Sequence, residues 1–513
     1  MSAYPTAADA DVALLLEGTY PFVSGGVSSW MHQIILAHPD VRFALVFLGS
    51  RRDDYPAMRY ELPANVVHLE THFLHDSLSE APDTPHARTG NTAAFADIDA
   101  LHTAFRGGAA VTPKLMQTAC AHIRPGGAIP EHDFRHAEAA WQRITDHYRK
   151  HCSDPSFVDY FWSVRIMHQP LWQLAQIADG LIPARAYHSI STGYAGFLGA
   201  LLAQATGRPL ILTEHGIYTK ERKIDLFQSE WIHDNRNAFQ RDPTELSYFR
   251  QLWIRFFEWM GRLSYDAADP IISLYEVNRA RQITDGAAAE RTQVIPNGVS
   301  IARLAPLRAQ RGDAIPPVLC LIGRVVPIKD VKNFIRAMRT VITRLPGAEA
   351  WIAGPLDEDP AYVAECRNLI DSLDLGDTVR LLGMQRIDAL LPKIGLVVLS
   401  SISEALPLVV LEAFAAGVPC VSTDVGACRQ LIEGGDAEDR AFGSAGAVVG
   451  IADPQALADA ALDLLGHPER WRAARDAGIR RVEARYSDAL MFQRYRDVYG
   501  RALAPSLVKE PQS

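Results

Sequence analysis

The sequence predicts an α/β protein built from two doubly wound, Rossmann-like domains. The chain has 513 residues, which is too long for one ordinary hydrophobic core. Short apolar runs alternate with helix-length segments in both halves, a pattern typical of parallel sheets with helical crossovers. In each half, one such run leads into a glycine loop and then a helical pattern, so the two halves begin alike.

The first of these units is "LLLEGTYPFVSGGVSSWMHQIILAHP" at residues 14–39. Its apolar run ends at Glu17, the pair Gly25 and Gly26 follows, and an amphipathic stretch then begins. Further strands of the first domain are predicted at 43–49, 65–70, 185–191, 209–216 and 269–275.

The second unit is "PPVLCLIGRVVPIKDVKNFIRAM" at residues 316–338, a strand, a glycine loop and a helix. The predicted helix has apolar Val331, Phe334, Ile335 and Met338 on one face. Further strands of the second domain are predicted at 348–354, 378–383, 394–401 and 419–423.

These patterns place an N-terminal domain at 1–305 and a C-terminal domain at 306–483. Residues from about 75 to 165 break the alternation, since they begin polar and turn-rich and continue as a helical pattern near 136–152. We interpret them as a helical insertion in the first domain. The last segment, 484–513, is predicted to contain a helix that crosses back to the first domain.

Composition excludes several classes of protein. The net charge of −9 and pI near 6.0 argue against a nucleic-acid binder that relies on a basic surface. The start "MSAYPTAADADV" has no basic region before an apolar one, so we expect no signal peptide. The longest apolar stretch contains Glu, Pro and Gly, so we expect no membrane span there. Six cysteines lie without CxxC spacing, so we expect neither a zinc site nor disulfides, and a cytoplasmic location.

The glycine pair of the first unit lies directly before a predicted helix. Backbone amides and the helix dipole favour an anion there, and Ser28 and Ser29 add hydroxyl groups. The pair lacks the GxGxxG spacing of a dinucleotide fingerprint. Gly25 and Gly26 therefore form either an anion-binding loop or an ordinary tight turn.

Two cations follow the first strand of the second domain, Arg324 and Lys329. Ligands of open α/β sheets bind at the carboxyl ends of the strands. An arginine and a lysine fixed there could neutralise a pyrophosphate leaving group without a metal ion. Solvated surface residues are the alternative.

The stretch "SEALPLVVLEAFAAGVPCVSTDVGA" at 403–427 carries the strongest signal. Glu412 lies within a very apolar helical run, where a buried carboxylate without partners would cost several kcal/mol. A ribose diol would supply two donors to it, and Glu404, just before the helix, could hold sugar hydroxyls. A solvated face for Glu412 stays open.

Other candidates lie after predicted strands. "TEHGIYTKER" at 213–222 places Glu214 and His215 at a strand end, where a histidine is either a site residue or structural. "PNGV" at 296–299 is a turn between the domains.

Together these motifs resemble the retaining GT-B glycosyltransferases of family 4. The E-x7-E pattern matches Glu404 and Glu412, and the Arg-x4-Lys pair matches Arg324 and Lys329. The N-terminal stretch at 14–39 and the stretch at 213–222 are more narrowly similar to the PelF-type cytoplasmic enzymes of Pel exopolysaccharide synthesis. This chain has Ala405 where typical members have glycine and Ser300 where they have aspartate, so sugar specificity does not carry over.

The resemblance implies two domains that face a central cleft, with the donor mainly on the second and the acceptor on the first. Arg324 and Lys329 would hold the diphosphate of a UDP-sugar. Glu412 would bind its ribose, and Glu404 the hydroxyls of the transferred sugar. His215 would lie near the anomeric carbon.

On the acceptor side, the resemblance implies that the amides of Gly25 and Gly26 approach the diphosphate and the reacting sugar. Glu17, at the end of the first strand, is a further candidate for an acceptor contact. The implied reaction retains the anomeric configuration, needs no metal and uses no cofactor beyond the UDP-sugar donor. The implied acceptor is an oligosaccharide or polysaccharide, and the implied partner an inner-membrane Pel-type complex.

Three alternatives remain open. A metal-dependent GT-A transferase would need an Asp-x-Asp after a strand, which Asp357-Glu358-Asp359 offers. An epimerase of the same fold would act on the UDP-sugar without an acceptor. A non-catalytic scaffold of a membrane synthase would bind the UDP-sugar and leave it unchanged.

Overall fold

The computed structural model describes residues 4–76, 88–106, 113–229, 232–236, 246–312 and 314–504. The chain divides into two compact units. Unit 1 comprises Met1–Ser273, Asn278–Gln293 and Arg496–Ser513, and unit 2 comprises Leu274–Val277 and Val294–Tyr495. The main division thus falls at Val294, somewhat before the boundary at 305 and 306 that the sequence suggested.

Unit 1 is built on a seven-stranded sheet of order β3-β2-β1-β4-β5-β6-β7. The strands from β3 to β6 pair in parallel, which gives the order 3-2-1-4-5-6 of a Rossmann fold. The strands are β1 (Ala10–Glu17), β2 (Phe43–Gly49), β3 (Val66–Phe73), β4 (Ala184–Ser189), β5 (Leu210–Glu214), β6 (Ala268–Ser273) and β7 (Thr292–Val294).

The helices that accompany this sheet are α1 (Gly26–Ala37), α2 (Thr92–Arg106), α3 (Pro113–Ile123), α4 (Glu131–His136), α5 (Glu138–His151), α6 (Phe157–Gly180), α7 (Tyr194–Thr206), α8 (Tyr218–Gln228), α9 (Tyr248–Ala267) and α10 (Glu276–Thr284). Helices α2 to α6 lie in sequence between β3 and β4, so the helical insertion predicted at about 75–165 is present and continues to Gly180. Parts of that prediction, 77–87 and 107–112, lie outside the described residues.

Unit 2 is built on a six-stranded parallel sheet of order β10-β9-β8-β11-β12-β13. Its strands are β8 (Val318–Ile322), β9 (Glu349–Ala353), β10 (Val379–Gly383), β11 (Leu396–Leu399), β12 (Cys420–Thr423) and β13 (Gly446–Val449). Counted from β8, this is again the order 3-2-1-4-5-6. The prediction of two Rossmann-like units is therefore confirmed.

The helices of unit 2 are α11 (Ile301–Leu304), α12 (Val331–Arg344), α13 (Pro360–Ser372), α14 (Ile387–Leu390), α15 (Leu408–Ala415), α16 (Cys428–Glu433), α17 (Ala437–Arg440), α18 (Pro454–Gly466), α19 (Pro468–Arg485) and α20 (Asp488–Leu503). The last helix begins in unit 2 and ends in unit 1. In unit 1, the Tyr499 hydroxyl lies 2.9 Å from Nδ1 of the buried His188.

Apolar patterning explains both cores. All seven residues of β2 are buried, as expected for a strand covered on both faces. In α12, the four apolar residues that the sequence placed on one face, Val331, Phe334, Ile335 and Met338, are each fully buried against the sheet of unit 2. Among the described residues, no helix is long and apolar enough to cross a membrane.

Candidate functional site

Each sheet reverses its strand order at one point, between β1 and β4 in unit 1 and between β8 and β11 in unit 2. In open α/β sheets, ligands bind outside the carboxyl ends of the strands at such a point. Glu17 ends β1, and Arg324 and Lys329 follow β8. Glu404 follows β11, so most of the predicted site residues lie at these two places.

In unit 2, a lysine and a glutamate bridge the point of reversal. Lys329 Nζ donates to Glu404 Oε1 at 2.5 Å, and Ser401 Oγ donates to the same oxygen at 2.6 Å. Lys329 and Glu404 expose only 19% and 12% of their side chains, so the pair is too buried to be a solvated surface ion pair. The predicted diphosphate cation and the predicted sugar-binding carboxylate are therefore direct neighbours.

The backbone around this pair is held from two sides. The Ser400 hydroxyl lies 3.0 Å from the carbonyl oxygens of both Lys329 and Asp330. Gly426 packs so closely that a Cβ there would come within 2.2 Å of the Glu404 carbonyl oxygen. The positions of the lysine and the glutamate are thus fixed by the fold.

Arg324 has a different environment from Lys329. Its Nη1 donates to Glu358 Oε2 at 3.1 Å, and 56% of its side chain is exposed. The alternative metal motif, Asp357-Glu358-Asp359, is engaged in the same region. Glu358 pairs with Arg324, and Asp359 accepts from the Tyr362 amide at 2.9 Å as the N-cap of α13.

Glu412 lies on α15 and has a protein partner that the sequence did not suggest. Arg303 Nη2 donates to Glu412 Oε1 at 3.1 Å, and the same guanidinium donates to Asp388 at 2.8 Å. Burial raises the pKa of Glu412, and Arg303 opposes that rise. Because Arg303 already compensates the carboxylate, burial alone does not require a ribose, and that role remains a prediction.

In unit 1, Glu17 connects the elements on both sides of the point of reversal. Its Oε1 accepts from the Tyr218 hydroxyl at 2.8 Å, and its Oε2 accepts from the Ala195 amide at 3.1 Å, in the first turn of α7. A carboxylate at a helix N-terminus is stabilised by the helix dipole. Burial, with Glu17 beside it, raises the pKa of Tyr218 well above its usual value, so this phenol stays a donor.

Glu214 is a buried structural anchor. Its carboxylate accepts from the hydroxyls of Tyr265 and Thr192 at 2.7 and 3.1 Å and from the Gln282 amide at 2.9 Å. Burial raises its pKa, while these donors stabilise the charged form. This network fixes the end of β5, the strand that leads directly into His215.

His215 packs edge-on against Trp30 of α1, with ring centroids 4.4 Å apart. The structure thus brings the helix that starts at the glycine pair next to the predicted catalytic histidine. Although the residue is partly accessible, burial of its ring lowers the pKa of His215 to about 3. The imidazole is therefore neutral at physiological pH and can exchange hydrogen bonds without carrying charge.

Gly25 and Gly26 lie exposed at the start of α1. Gly25 has an extended backbone that any residue can adopt, with φ of 164°. A Cβ built on either glycine meets no heavy atom of the described residues within 4 Å. Packing within the protein therefore does not explain why side chains are missing at both positions.

Some contact residues were not predicted from the sequence. Ser401 is the second of two serines that follow the apolar strand β11, so its position was a usable signal. Tyr218 and Arg303 gave no such signal, because their contacts with Glu17 and Glu412 join residues far apart in the chain.

Two family profiles match the chain. Residues 10–290 match the family described as "Domain of unknown function (DUF3492)", and residues 316–467 match "Glycosyl transferases group 1". The first match covers more than half of the chain, and the second lies within unit 2.

Similar curated proteins include an exopolysaccharide phosphotransferase of Streptomyces coelicolor, 35% identical over 205 residues, which are 39% of this chain and 20% of that protein. A D-inositol 3-phosphate glycosyltransferase of Thermobispora bispora is 30% identical over 46% of this chain and 57% of its own length. The chain thus spans about a fifth of the first relative and little more than half of the second.

Solved structures share the fold at low identity. HepE of Anabaena, crystallised in complex with UDP, has a TM-score of 0.56 and 16% identity, over 96% of this chain and 100% of that chain. Sucrose-phosphate synthase of Thermosynechococcus elongatus has a TM-score of 0.55 and 17% identity, over 96% and 99%. The protein therefore belongs to the family of the domain of unknown function DUF3492 and carries a group 1 glycosyl transferase domain of the GT-B type in its second unit.

Proposed function

We propose that this protein is a retaining glycosyltransferase that moves a hexose or N-acetylhexosamine from a UDP-sugar to a growing exopolysaccharide. The observation that carries the proposal is the Lys329–Glu404 pair, held at 2.5 Å where the sheet of unit 2 reverses its strand order. The fixed lysine suits the diphosphate of a UDP-sugar, and the fixed carboxylate beside it suits the hydroxyls of the sugar.

Support for the donor comes from the chemistry of these residues and from HepE, which was crystallised with UDP and with UDP-glucose. Lys329 has three N–H donors, of which Glu404 takes one, so two remain for phosphate oxygens. Arg324, half-exposed beside Glu358, can turn its planar fork toward a phosphate. Glu412 would receive the ribose on the side of its carboxylate that Arg303 leaves open.

The reaction breaks the bond between the anomeric carbon and the phosphate oxygen and forms one to an acceptor hydroxyl oxygen on the same face. UDP leaves with the bonding electron pair, and its phosphate takes the proton of the acceptor hydroxyl. As negative charge grows on the phosphate, a preorganised lysine stabilises it without reorganisation. Because the positive charge of the lysine stabilises the leaving phosphate, this scheme needs no metal ion, and we propose that EDTA does not lower turnover.

The acceptor side is supported by unit 1. His215 is neutral, so it would position a sugar hydroxyl by hydrogen bonding and would not repel a cationic transition state. The accessible backbone at Gly25 and Gly26 lets amide groups approach a ligand where side chains would block it. Glu17, already bound by Tyr218 and Ala195, would act mainly by positioning these elements.

An exopolysaccharide acceptor is supported by the Streptomyces coelicolor relative, which is named an exopolysaccharide phosphotransferase. The resemblance of residues 14–39 and 213–222 to PelF-type enzymes supports a Pel-like polymer and an inner-membrane partner complex. All six cysteines are free, and four of them are buried, which suits a reducing cytoplasm.

The test is UDP release from a panel of UDP-glucose, UDP-N-acetylglucosamine and UDP-N-acetylgalactosamine, with an oligosaccharide acceptor and with EDTA. Lys329→Ala should lower turnover at least about 100-fold, the scale for losing one preorganised charge partner, and Arg324→Ala should act in the same direction. Lys332→Ala is the matched control, because Lys332 pairs with Glu365 instead of Glu404. If all three variants had equal turnover rates, Lys329 and Arg324 would not belong to the site.

The same assay separates the alternatives. An epimerase would convert the UDP-sugar without acceptor and without UDP release. A silent scaffold would bind UDP-sugars in calorimetry and release no UDP, and Glu404→Ala would leave polymer output unchanged. Loss of activity in EDTA, restored by a divalent cation, would contradict the metal-independent scheme.

A further inference from the structure

Unit 1 contains a cavity of about 580 Å³ in a part of the molecule that the proposed reaction does not use. Its walls come from α2, α3, α5 and α6 of the insertion and from α9. None of the predicted site residues lines it. Its volume falls within the range of small-molecule sites, roughly 300–1000 Å³.

Residues along almost the whole length of α9 line the cavity. Its lining residues on that helix recur every three or four positions from Tyr248 through Leu252, Arg255 and Trp259 to Arg262 and Tyr265, so one face of the helix borders it throughout. With a rise of 1.5 Å per residue, this face is about 25 Å long. A lining of that length suits a chain-like ligand.

Most of the opposite walls are apolar. The apolar side chains of the insertion that line the cavity include Phe95, Ile98, Leu101, Ile123, Ile144 and Met167, and its ionisable ones are Asp99, His102, Arg143, His147, His151 and His168. Several of the apolar ones are almost fully buried in the core of unit 1, with Met167 only 1% exposed. Ile98 and Ile123 are partly exposed, and an apolar ligand body would replace water against this surface and gain about 25 cal/mol for each Å² covered.

The polar part of the lining favours an anion. Its three carboxylates already have cationic partners: Asp99 accepts from His147 at 2.9 Å and also from Arg143, Asp285 pairs with Arg281, and Glu258 pairs with Lys223. Among the described residues, no ion pair joins these three carboxylates to Arg255 or Arg262, and Asp266 is the carboxylate that interacts electrostatically with Arg262. Arg255 is exposed and Arg262 half-buried, so both guanidinium groups can face a bound head group.

We propose that this cavity is a binding site for an amphiphile with one long apolar chain and an anionic head group. The chain packs between α9 and the inserted helices, and the head group is held by Arg255 and Arg262. The site is independent of the proposed transferase site, since its lining residues are separate from those that hold the donor.

The experiment uses the full chain and palmitate below its micellar concentration, with binding followed by calorimetry and native mass spectrometry. We expect one palmitate per chain, and at least about tenfold weaker binding of neutral hexadecanol, because the arginines contribute only to an anion. No saturable palmitate binding, or equal affinity for hexadecanol, would overturn the proposal.

Two variants locate the ligand. Arg255→Glu combined with Arg262→Glu should weaken palmitate at least about tenfold, whereas Arg149→Glu, on an exposed face of α5 outside the lining, should leave the affinity unchanged. Ala140→Trp should abolish binding by filling the cavity from α5, with Ala93→Trp on the exposed face of α2 as its control. If Ala140→Trp fails to fold, the arginine pair still decides, because Arg255 is exposed.

The source of the ligand is separated by a second arm with phosphatidylcholine and phosphatidylglycerol vesicles. Binding to these vesicles that depends on Arg255 and Arg262 assigns the site to a bilayer lipid. Binding of palmitate alone assigns it to a free amphiphile. If the protein that carries both Arg255→Glu and Arg262→Glu binds palmitate and vesicles like the parent protein, the cavity is not the site.

Discussion

At the residue scale, a glutamate occupies the same relative place in both units. Glu17 joins β1 to the helix after β4, and Glu404 joins the loop after β8 to the loop after β11. Both carboxylates accept from a serine, but Glu17 also accepts from a phenol and a backbone amide whereas Glu404 also accepts from a lysine. Among the described residues, a cation is hydrogen-bonded to the carboxylate of unit 2, the unit to which we assign the sugar diphosphate, whereas the hydrogen-bond donors to Glu17 are uncharged.

The glycine pair gives a clean test at this scale. Gly26→Val should abolish transfer while the protein still folds, because a side chain there meets no protein atom within 4 Å yet covers the backbone that a ligand would approach. UDP release and the thermal midpoint are measured together, with Ser24→Val in the same exposed loop as control. A fully active Gly26→Val protein would reduce the pair to an ordinary turn.

The neutral state of His215 has a measurable pH dependence. Its folded pKa of about 3 lies below the unfolded value of 6.5, so protons bind the unfolded chain preferentially between these values. His215 therefore lowers the free energy of unfolding as pH falls from about 6.5 toward 3. In ¹³C-histidine NMR its Cε1 shift should stay constant from pH 8 to pH 5, assigned by comparison with His215→Gln.

A His215 resonance that titrates with a midpoint near 6.5 would contradict the neutral assignment. The same result would make a charged imidazole available at the acceptor side, which the proposed mechanism does not use.

At the element scale, the loops after β8 and β11 depend on one close backbone approach. Gly426 has φ of +53°, and a Cβ there would lie 2.2 Å from the Glu404 carbonyl oxygen and 2.4 Å from that of Ala405. The conformation and the contact both exclude a side chain. The methyl group of Ala405, by contrast, packs against the hydrophobic core of unit 2, which accommodates this departure from the usual glycine.

Gly426→Ala should therefore lower the free energy of unfolding by about 2 kcal/mol or more, since strain and a backbone clash add. It should also lower UDP-sugar turnover, because Glu404 moves with its carbonyl. Urea unfolding and UDP release report the two effects, and Gly376→Ala, where a Cβ meets no atom within 4 Å, is the control. Parent-like stability of Gly426→Ala would contradict the close approach.

The elements themselves were largely predictable from the sequence. Buried runs such as 43–49 coincide with β2, because a strand covered on both faces is apolar throughout. The apolar helical run predicted around Glu412 is α15, which begins at Leu408. Two strands were not predicted, since β7 has only three residues and every residue of β13 is partly exposed at the edge of its sheet. Such short edge strands carry little apolar signal.

The site was predictable only in part, for a physical reason. Polar residues in the loops after strands can be found from the sequence, as Lys329 and Glu404 were, whereas Ser401 was not predicted. Pairing partners cannot, because the Arg303–Glu412 and Tyr218–Glu17 contacts depend on how distant segments pack. The sequence argument that Glu412 needs a ligand therefore overlooked Arg303.

At the scale of the whole molecule, two units of the same strand order have diverged in their additions. Unit 1 carries the inserted helices with their cavity and nearly all of residues 10–290, which match the family to which the chain belongs. Unit 2 carries the group 1 glycosyl transferase match and the lysine–glutamate pair. We infer that unit 2 binds the UDP-sugar donor. We infer that unit 1 selects the acceptor and binds the amphiphile in its cavity.

The most direct test of this account is a crystal structure of the full chain with bound UDP. The account predicts the diphosphate within hydrogen-bonding distance of Lys329 Nζ, at the carboxyl ends of β8 and β11, with the ribose hydroxyls on Glu412. UDP bound at any other place, with Lys329 still joined to Glu404 alone, would contradict it.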